Sequence, residues 1–215
     1  VGKKYLEYLY KSETLPRFLR IDKRTETGKM ETIHCYLMDH LGIMDDALHS
    51  IIYGPSTSNK IERWWRDLNE RLERYFKVQL NTLLRGMEYD PHSISDRQLL
   101  AFVYVPIIQH ECEVFVNYWN SHRIRYQENL KIPTGMPEHI FNFPDQYGGM
   151  NMGIPVTQDQ LQGLAEVFGV MSANVFDFID EDLAHQCSQY LPNVDKIACA
   201  DAIDAFRFLK YKVAH

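Results

Sequence analysis

Two acidic side chains, Asp22 and Glu62, have types and positions that could do chemistry together. Asp22 follows a short apolar run that reads as a β-strand over residues 18–21, and Glu62 lies in the opening turn of a long predicted helix. Carboxylates that are held close together repel each other, so they either retain a proton or bind a hard cation. Two Mg²⁺ ions held by such acids can activate an attacking oxygen and stabilise a leaving oxygen at a phosphodiester.

The same two residues also have simpler interpretations. An acid after a strand often caps a turn or forms a surface ion pair, and a glutamate in a first helical turn interacts favourably with the helix dipole. Spacing alone therefore leaves both a metal site and a structural role open for Asp22 and Glu62.

The elements that must position these acids read as a parallel crossover. A strand over residues 18–21, a helix over residues 30–41 that ends at Gly42, and a second strand over residues 49–53 follow one another within about 35 residues. The carboxyl ends of parallel neighbours lie side by side, at the edge where open α/β sheets bind ligands. We therefore expect Asp22 and Glu62 to meet at that edge.

Helices dominate the rest of the predicted fold. The apolar spacing predicts helices over the following residue ranges: 2–12, 60–84, 97–122 with a cap at Asp96 and an interruption at Pro106, 157–168, 172–190 and 196–212. Residues 127–144 look irregular because they contain three prolines. A sheet of two strands leaves both of its edges unpaired, so we expect the sheet to have further strands. The chain also opens with Val1 rather than Met, and we therefore expect a further N-terminal portion of the protein.

Composition and charge indicate a globular protein with two parts. Hydrophobic residues make up 45% of the 215 residues and charged residues 24%, and no run approaches the roughly 20 uninterrupted apolar residues of a membrane helix. Residues 1–144 hold 19 basic and 19 acidic side chains, whereas residues 145–215 hold 4 and 10. We predict a boundary between these ranges, at a Gly- and Pro-rich joint over residues 144–155. The net charge of the chain, −6, argues against binding nucleic acid through bulk charge alone.

The cysteines do not form a recognisable metal or disulfide pattern. They stand at positions 35, 112, 187 and 199 without a CxxC pair, and we interpret them as reduced core thiols. The closest ligand-like spacing, His110 with Cys112, lacks further partners.

Basic residues Lys60, Arg63 and Arg66 accompany Glu62 on the long predicted helix. They could contact a phosphate backbone. Arg63 and Arg66 could instead pair with nearby acids on a solvated helix surface, and this reading is favoured for Arg63. The adjacent Trp64 and Trp65 are expected to lie in the core, the alternative being stacking platforms for nucleic-acid bases.

Four segments resemble the integrase core domain, the RNase H-like catalytic domain of retroviral integrases and DDE transposases, and most closely its transposon-derived eukaryotic branch. The segments are PRFLRIDKRTE over residues 16–26, IYGPSTSNKIERWWRD over 52–67, VNYWNSH over 116–122 and IPTGMP over 132–137. The similarity covers roughly residues 1–144, and the segment around Glu62 is the more specific of the two acidic motifs.

The resemblance implies an RNase H-like α/β fragment, helical as it stands, with an all-α acidic extension over residues 145–215. It also implies Mg²⁺-dependent DNA strand transfer, in which Asp22 and Glu62 are the second and third metal-binding acids and Lys60, Arg63 and Arg66 contact DNA. The first acid would lie upstream of Val1. Arg24 stands where the family has a glycine, and Lys23 and Arg24 would compete with Mg²⁺ for the charge of Asp22.

Activity is therefore left uncertain, and alternative functions stay open. One is a catalytically dead, transposon-derived module that binds DNA or protein, and another is a decaying element without a cellular role. The resemblance further implies a nuclear location and a homo-oligomer, whereas the lack of a long apolar run predicts no membrane partner. The acidic C-terminal helices are expected to contact a protein partner or to cap the core.

Overall fold

The fold is predominantly helical with a few very short strands, as predicted. A computed structural model describes residues 1–21, 27–54, 59–126, 133–170 and 179–213, with the side chains of 59–62 and 165 left aside. The described helices are α1 Gly2–Ser12, α2 Gly28–His40, α3 Asn59–Leu68, α4 Arg74–Arg85, α5 Ile94–Ser121, α6 Pro137–Asn142, α7 Gln158–Val167, α8 Glu181–Tyr190 and α9 Ala202–Val213. The described strands are β1 Thr14–Leu15, β2 Leu19–Ile21, β3 Ile51–Tyr53 and β4 Ile154–Pro155.

The chain divides into two compact units that interleave along the sequence. The first comprises Val1–Glu62 and Gly148–Asn174, and the second comprises Arg63–Tyr147 and Val175–His215. The acidic part after residue 144 thus contributes to both units. The boundary predicted between residues 144 and 145 stays a prediction. A compact unit is defined by contacts in the folded chain, whereas the predicted domains were defined by motifs and charge along the sequence.

In the first unit, α1, α2 and α7 enclose the core. Its fully buried side chains include Leu6 and Leu9 of α1, Ile33 and Leu37 of α2, and Leu161 of α7. These positions recur at three- and four-residue intervals within α1 and α2, which is the spacing that places side chains on one helix face. Apolar periodicity in the sequence therefore predicted α1 and α2 closely.

Gly42 ends α2 as expected. Its φ of +60° is the left-handed conformation that favours glycine. The Gly42 amide donates to the Asp39 carbonyl at 2.9 Å, and the Ile43 amide donates to the Met38 carbonyl at 3.1 Å. This pair of bonds satisfies carbonyls that the end of the helix would otherwise leave without donors.

The described residues of the first unit form two separate two-stranded sheets. β2 and β3 are parallel, as the predicted crossover requires, whereas β1 and β4 are antiparallel, with Leu15 opposite Ile154. The strand predicted over residues 49–53 is shorter in the structure. Asp46 accepts a hydrogen bond from the Leu48 amide at 2.9 Å and starts a 3₁₀ turn, so extended backbone begins only at Ile51.

In the second unit, α4, α5, α8 and α9 surround a core rich in aromatic side chains. The long predicted helix continues from α3 to α4 through one π-helical turn, Asn69–Glu73. α5 runs through Pro106 without a break, contrary to expectation, because residues on both sides of the proline, including Val103 and Ile107, pack in the core. Its N-cap is Ser93, whose hydroxyl oxygen accepts from the Asp96 amide at 3.2 Å, so the cap predicted at Asp96 was wrong by three residues.

The C-terminal helix α9 is part of the core of the second unit. Phe206 and Leu209 are fully buried, and Lys210 donates to the carboxylate of Asp96 at 2.6 Å. Within residues 145–215, the described backbone is helical or irregular apart from β4. Packing of α9 in this core supports the capping interpretation of the acidic C-terminal helices.

One described helix, α5, is long and apolar enough by length and composition to cross a bilayer. A single helix of this kind is a weak indication of a membrane span, since the central helix of a globular core has the same features. Seven of its side chains are buried in the second unit.

Candidate functional site at the ends of two parallel strands

The predicted site lies at the carboxyl ends of β2 and β3. The register pairs Leu19 with Ile51 and Ile21 with Tyr53, so both strands end at the same level. One further hydrogen bond, from the Gly54 amide to the Ile21 carbonyl at 3.3 Å, extends the ladder by one residue. The parallel arrangement inferred from the sequence is therefore confirmed up to the residue before Asp22.

The two proposed metal ligands are only partly covered by the described residues. Asp22 lies outside them. The backbone of Glu62 belongs to the first turn of α3, and its side chain, like that of Lys60, lies outside the description. The separation of the Asp22 and Glu62 carboxylates consequently stays a prediction.

Arg20 is a residue of this strand edge that the sequence analysis did not single out. Its side chain is exposed and lies directly over Gly54, where a β-carbon would stand 2.7 Å from the Arg20 Nε. Gly54 thus leaves room for a guanidinium at the end of β3. The only signal in the sequence is a glycine placed immediately after an apolar strand, which indicates a close approach without naming its partner.

A hydrogen bond joins the last residue of β3, Tyr53, to α2. The Tyr53 hydroxyl donates a hydrogen bond to the Glu31 carboxylate, and this bond, together with the negative charge of Glu31, raises the pKa of Tyr53. Glu31 stands in the first turn of α2, where a carboxylate also favours the helix dipole. Helix α2 therefore holds the end of β3 at the strand edge.

Arg63 and Arg66, the predicted DNA contacts in the second unit, are both exposed. Within the part of the chain that the structure describes, neither guanidinium forms an ion pair. Glu73, an acid farther along the same helical stretch, accepts instead from Asn69 at 2.8 Å and from Lys77 at 3.0 Å. Among the described residues, no carboxylate therefore competes with an external anion for either arginine.

Trp64 and Trp65 have different environments, although both were expected in the core. Trp64 is half-buried and packs edge-to-face on Phe115, with ring centroids 5.4 Å apart. Trp65 remains 54% exposed. Apolar spacing could not separate them, because adjacent residues on a helix point only about 100° apart and either could face the core.

The described residues offer no alternative metal centre. All four cysteines are free thiols, as expected. Among the residues that the structure covers, no group of three or more His, Cys, Asp or Glu side chains could hold a metal ion, and Asp22 and Glu62 fall outside that search. Burial raises the pKa of the Cys187 thiol to about 11, which makes it unreactive at neutral pH.

Comparison with known proteins assigns the family. The model of the integrase core domain matches residues 4–141, more than half of the chain, and this range includes both motifs around Asp22 and Glu62. The chain matches none of the curated proteins and none of the solved structures with which it was compared. The resemblance stated from the motifs is thereby confirmed at the level of the family. The chain belongs to the integrase core domain family.

Proposed function

We propose that this chain forms part of an RNase H-like catalytic core for DNA integration or transposition, with Asp22 and Glu62 as ligands of Mg²⁺. The parallel pairing of β2 and β3 is the observation that carries this proposal. Asp22 is the residue after Ile21, and Glu62 lies nine residues after Tyr53, the register partner of Ile21. Ligands of open α/β sheets bind at such strand ends.

The donor set has the chemistry that a hard divalent cation prefers. Both residues offer carboxylate oxygens, which Mg²⁺ binds in preference to nitrogen or sulfur. When bound, Mg²⁺ would lower the energy of charge developing on the attacking and leaving oxygens of a phosphodiester. Asp22 and Glu62 would hold the cation at the strand edge. A 3′-hydroxyl would attack the phosphodiester in line at that edge.

The basic residues of α3 are proposed to position the DNA backbone. Arg63 and Arg66 are exposed and free of ion pairs among the described residues, and Lys60 precedes them on the same helix. Contacts to phosphate oxygens fix the register of a DNA strand without reading its sequence. The proposal extends to a nuclear protein of transposon origin that acts as a homo-oligomer, on the basis of the family alone.

A catalytically dead module that binds DNA or protein is the second candidate, and the charges around Asp22 favour it. Arg20 places a guanidinium at the end of β3, and Lys23 and Arg24 follow Asp22 directly in the sequence. Cations close to a carboxylate stabilise its charge and reduce the benefit of binding a metal there. DNA binding without metal dependence would distinguish this candidate from an active enzyme.

A strand-transfer assay with the product of the complete open reading frame tests the proposed enzyme. With labelled donor DNA, a target duplex and Mg²⁺, the wild type should form joined products, and Glu62→Gln should form none. Glu70→Gln changes an exposed acid farther along the same helical stretch and serves as the matched control. Equal product from wild type and Glu62→Gln would overturn the assignment of Glu62, and DNA binding without product from the wild type would favour the dead module.

A further inference from the structure

The exposed indole of Trp65 is held in one orientation by its neighbour. The rings of Trp64 and Trp65 meet edge-to-face, with centroids 4.8 Å apart and an interplanar angle of 85°. Trp64 itself packs on the buried Phe115. Trp65 is thus supported from inside the second unit while more than half of its surface faces outward.

Positive charge lies to one side of this indole on the same helix, with Arg66 about 100° and Arg63 about 160° around the axis of α3 from Trp65. Arg63 and Arg66 are exposed, and neither forms an ion pair with any residue that the structure describes. Arg71, by contrast, lies over the ring of Tyr118 at 4.8 Å, so that this exposed arginine and this exposed ring already engage each other. Within the described residues no cation lies over Trp65.

We infer that Trp65 is a stacking platform for an unpaired DNA base, with Arg66 and, farther around α3, Arg63 contacting phosphates on one side of it. Phosphates complement the two guanidinium groups, and the face of a base complements an indole. Within a duplex the neighbouring bases cover each base face, so an indole reaches one only in a single strand or at a frayed end. The inference rests on the proposed DNA-binding function and adds a preference for unpaired nucleotides to it.

Fluorescence anisotropy of the full chain with two labelled probes tests this inference. The probes are a single-stranded oligonucleotide of mixed sequence and the blunt duplex of the same sequence. Trp65→Ala should weaken binding of the single strand roughly tenfold, as expected for the loss of one base stacked on an aromatic side chain. Trp65→Phe should retain most of the affinity because it keeps an aromatic face. Arg66→Ala should weaken binding of both probes.

Two controls separate stacking from a loss of structure. Phe141→Ala removes another exposed aromatic ring of the second unit, 70% exposed, and should bind both probes like the wild type. Indole fluorescence of the wild type should fall when the single strand is added, and this change should be largely absent in Trp65→Phe. That readout requires contact with the base and does not respond to a merely structural role.

The outcomes distinguish this inference from the proposed function. Unchanged binding of the single strand by Trp65→Ala, with binding lost in Arg66→Ala, would overturn the stacking role and leave DNA binding in place. Fluorescence that does not respond to bound single strand would overturn it as well. A wild-type chain that binds neither probe would refute both the stacking role and the proposed contact of α3 with DNA, and would point to a protein partner for Trp65.

Discussion

Ile21 and Tyr53 face each other as the last register partners of two parallel strands, one residue before Asp22 and nine residues before Glu62. This relationship brings two segments that are 32 positions apart in the sequence to one sheet edge. The proposed metal site needs such an edge, because Asp22 and Glu62 come from different elements of the fold.

Mn²⁺, a spectroscopic substitute for Mg²⁺, should bind the chain through Asp22 and Glu62. Loss of one carboxylate should weaken binding roughly tenfold or more, since even indirect partners of metal ligands contribute that much. Electron paramagnetic resonance of free Mn²⁺ measures the bound fraction for wild type, Asp22→Asn and Glu62→Gln. Asp39→Asn, an exposed acid on α2, should bind like the wild type. Unchanged binding in both site variants would contradict the assignment.

Acid should destabilise the first unit through His34. This residue is fully buried, its Nδ1 lies 2.7 Å from the Tyr5 hydroxyl oxygen, and burial lowers its pKa to about 4. Between pH 6.5 and 4 the unfolded chain binds a proton that the folded chain does not, so stability falls as the pH falls. The loss should approach roughly 3 kcal/mol, at 1.36 kcal/mol per pKa unit.

Urea unfolding followed by hydrogen exchange at amides of α2 measures this pH dependence. The double variant Tyr5→Phe with His34→Leu removes both polar groups together, so that neither partner is left buried without the other. Its stability should vary much less between pH 6.5 and 4 than that of the wild type. A parallel decline in both proteins would show that another group titrates.

A second acid-sensitive contact joins α9 to the connection between α4 and α5. The Glu88 carboxylate accepts two hydrogen bonds from Arg207, at 2.5 and 2.8 Å, and these bonds lower the pKa of Glu88. A lowered folded pKa contributes stability that is complete above the ordinary carboxyl value of 4.5 and is lost as the pH falls through the lowered value.

As the pH falls below 4.5, the urea midpoint of the second unit should therefore decrease. The decrease should be less steep in Arg207→Met than in the wild type. Arg207→Met keeps the apolar stem but removes the two donors to Glu88. Glu70→Gln, which removes an exposed acid elsewhere in the unit, should keep the wild-type profile. Identical acid profiles for wild type and Arg207→Met would exclude a contribution from the Glu88–Arg207 pair.

Two glycine substitutions in the first unit should have opposite effects. A β-carbon at Gly153 would lie 2.2 Å from Cγ2 of Thr14, whose hydroxyl donates to the Ser12 carbonyl at 2.9 Å, so Gly153→Ala must shift Thr14 and should lower stability by about 1–3 kcal/mol. Gly163 is exposed within α7 and has no atom within 4 Å of an added β-carbon. Gly163→Ala should raise stability by about 0.5–1 kcal/mol.

Thermal unfolding of both variants provides the measurement, and each is the control for the other. A stable Gly153→Ala protein would mean that β1 and β4 do not approach as closely as described. A destabilised Gly163→Ala protein would mean that the exposed side of α7 is covered.

Local patterns were enough to predict most helices and the parallel crossover. The helices α1, α2 and α7 follow the predicted ranges closely, because a helix forms hydrogen bonds between residues four apart and its apolar face can be read from the sequence. The crossover followed from two short apolar runs separated by one helix. Two local predictions, the cap at Asp96 and the break at Pro106, were wrong. The hydroxyl oxygen of Ser93 caps α5 by accepting from the Asp96 amide, and core packing holds the helix on both sides of the proline.

The sequence by itself determined the family, the helical character and the candidate acids, since these depend on residue types at short spacing. Only the tertiary structure decided that residues 14–15 pair with residues 154–155, that Arg20 covers Gly54, and that Trp65 rather than Trp64 is exposed. The first two features join residues that are far apart in the sequence. The third is a choice between two neighbouring indoles for one place in the core. Which group prevails is set by the packing of the folded chain, and no local pattern records it.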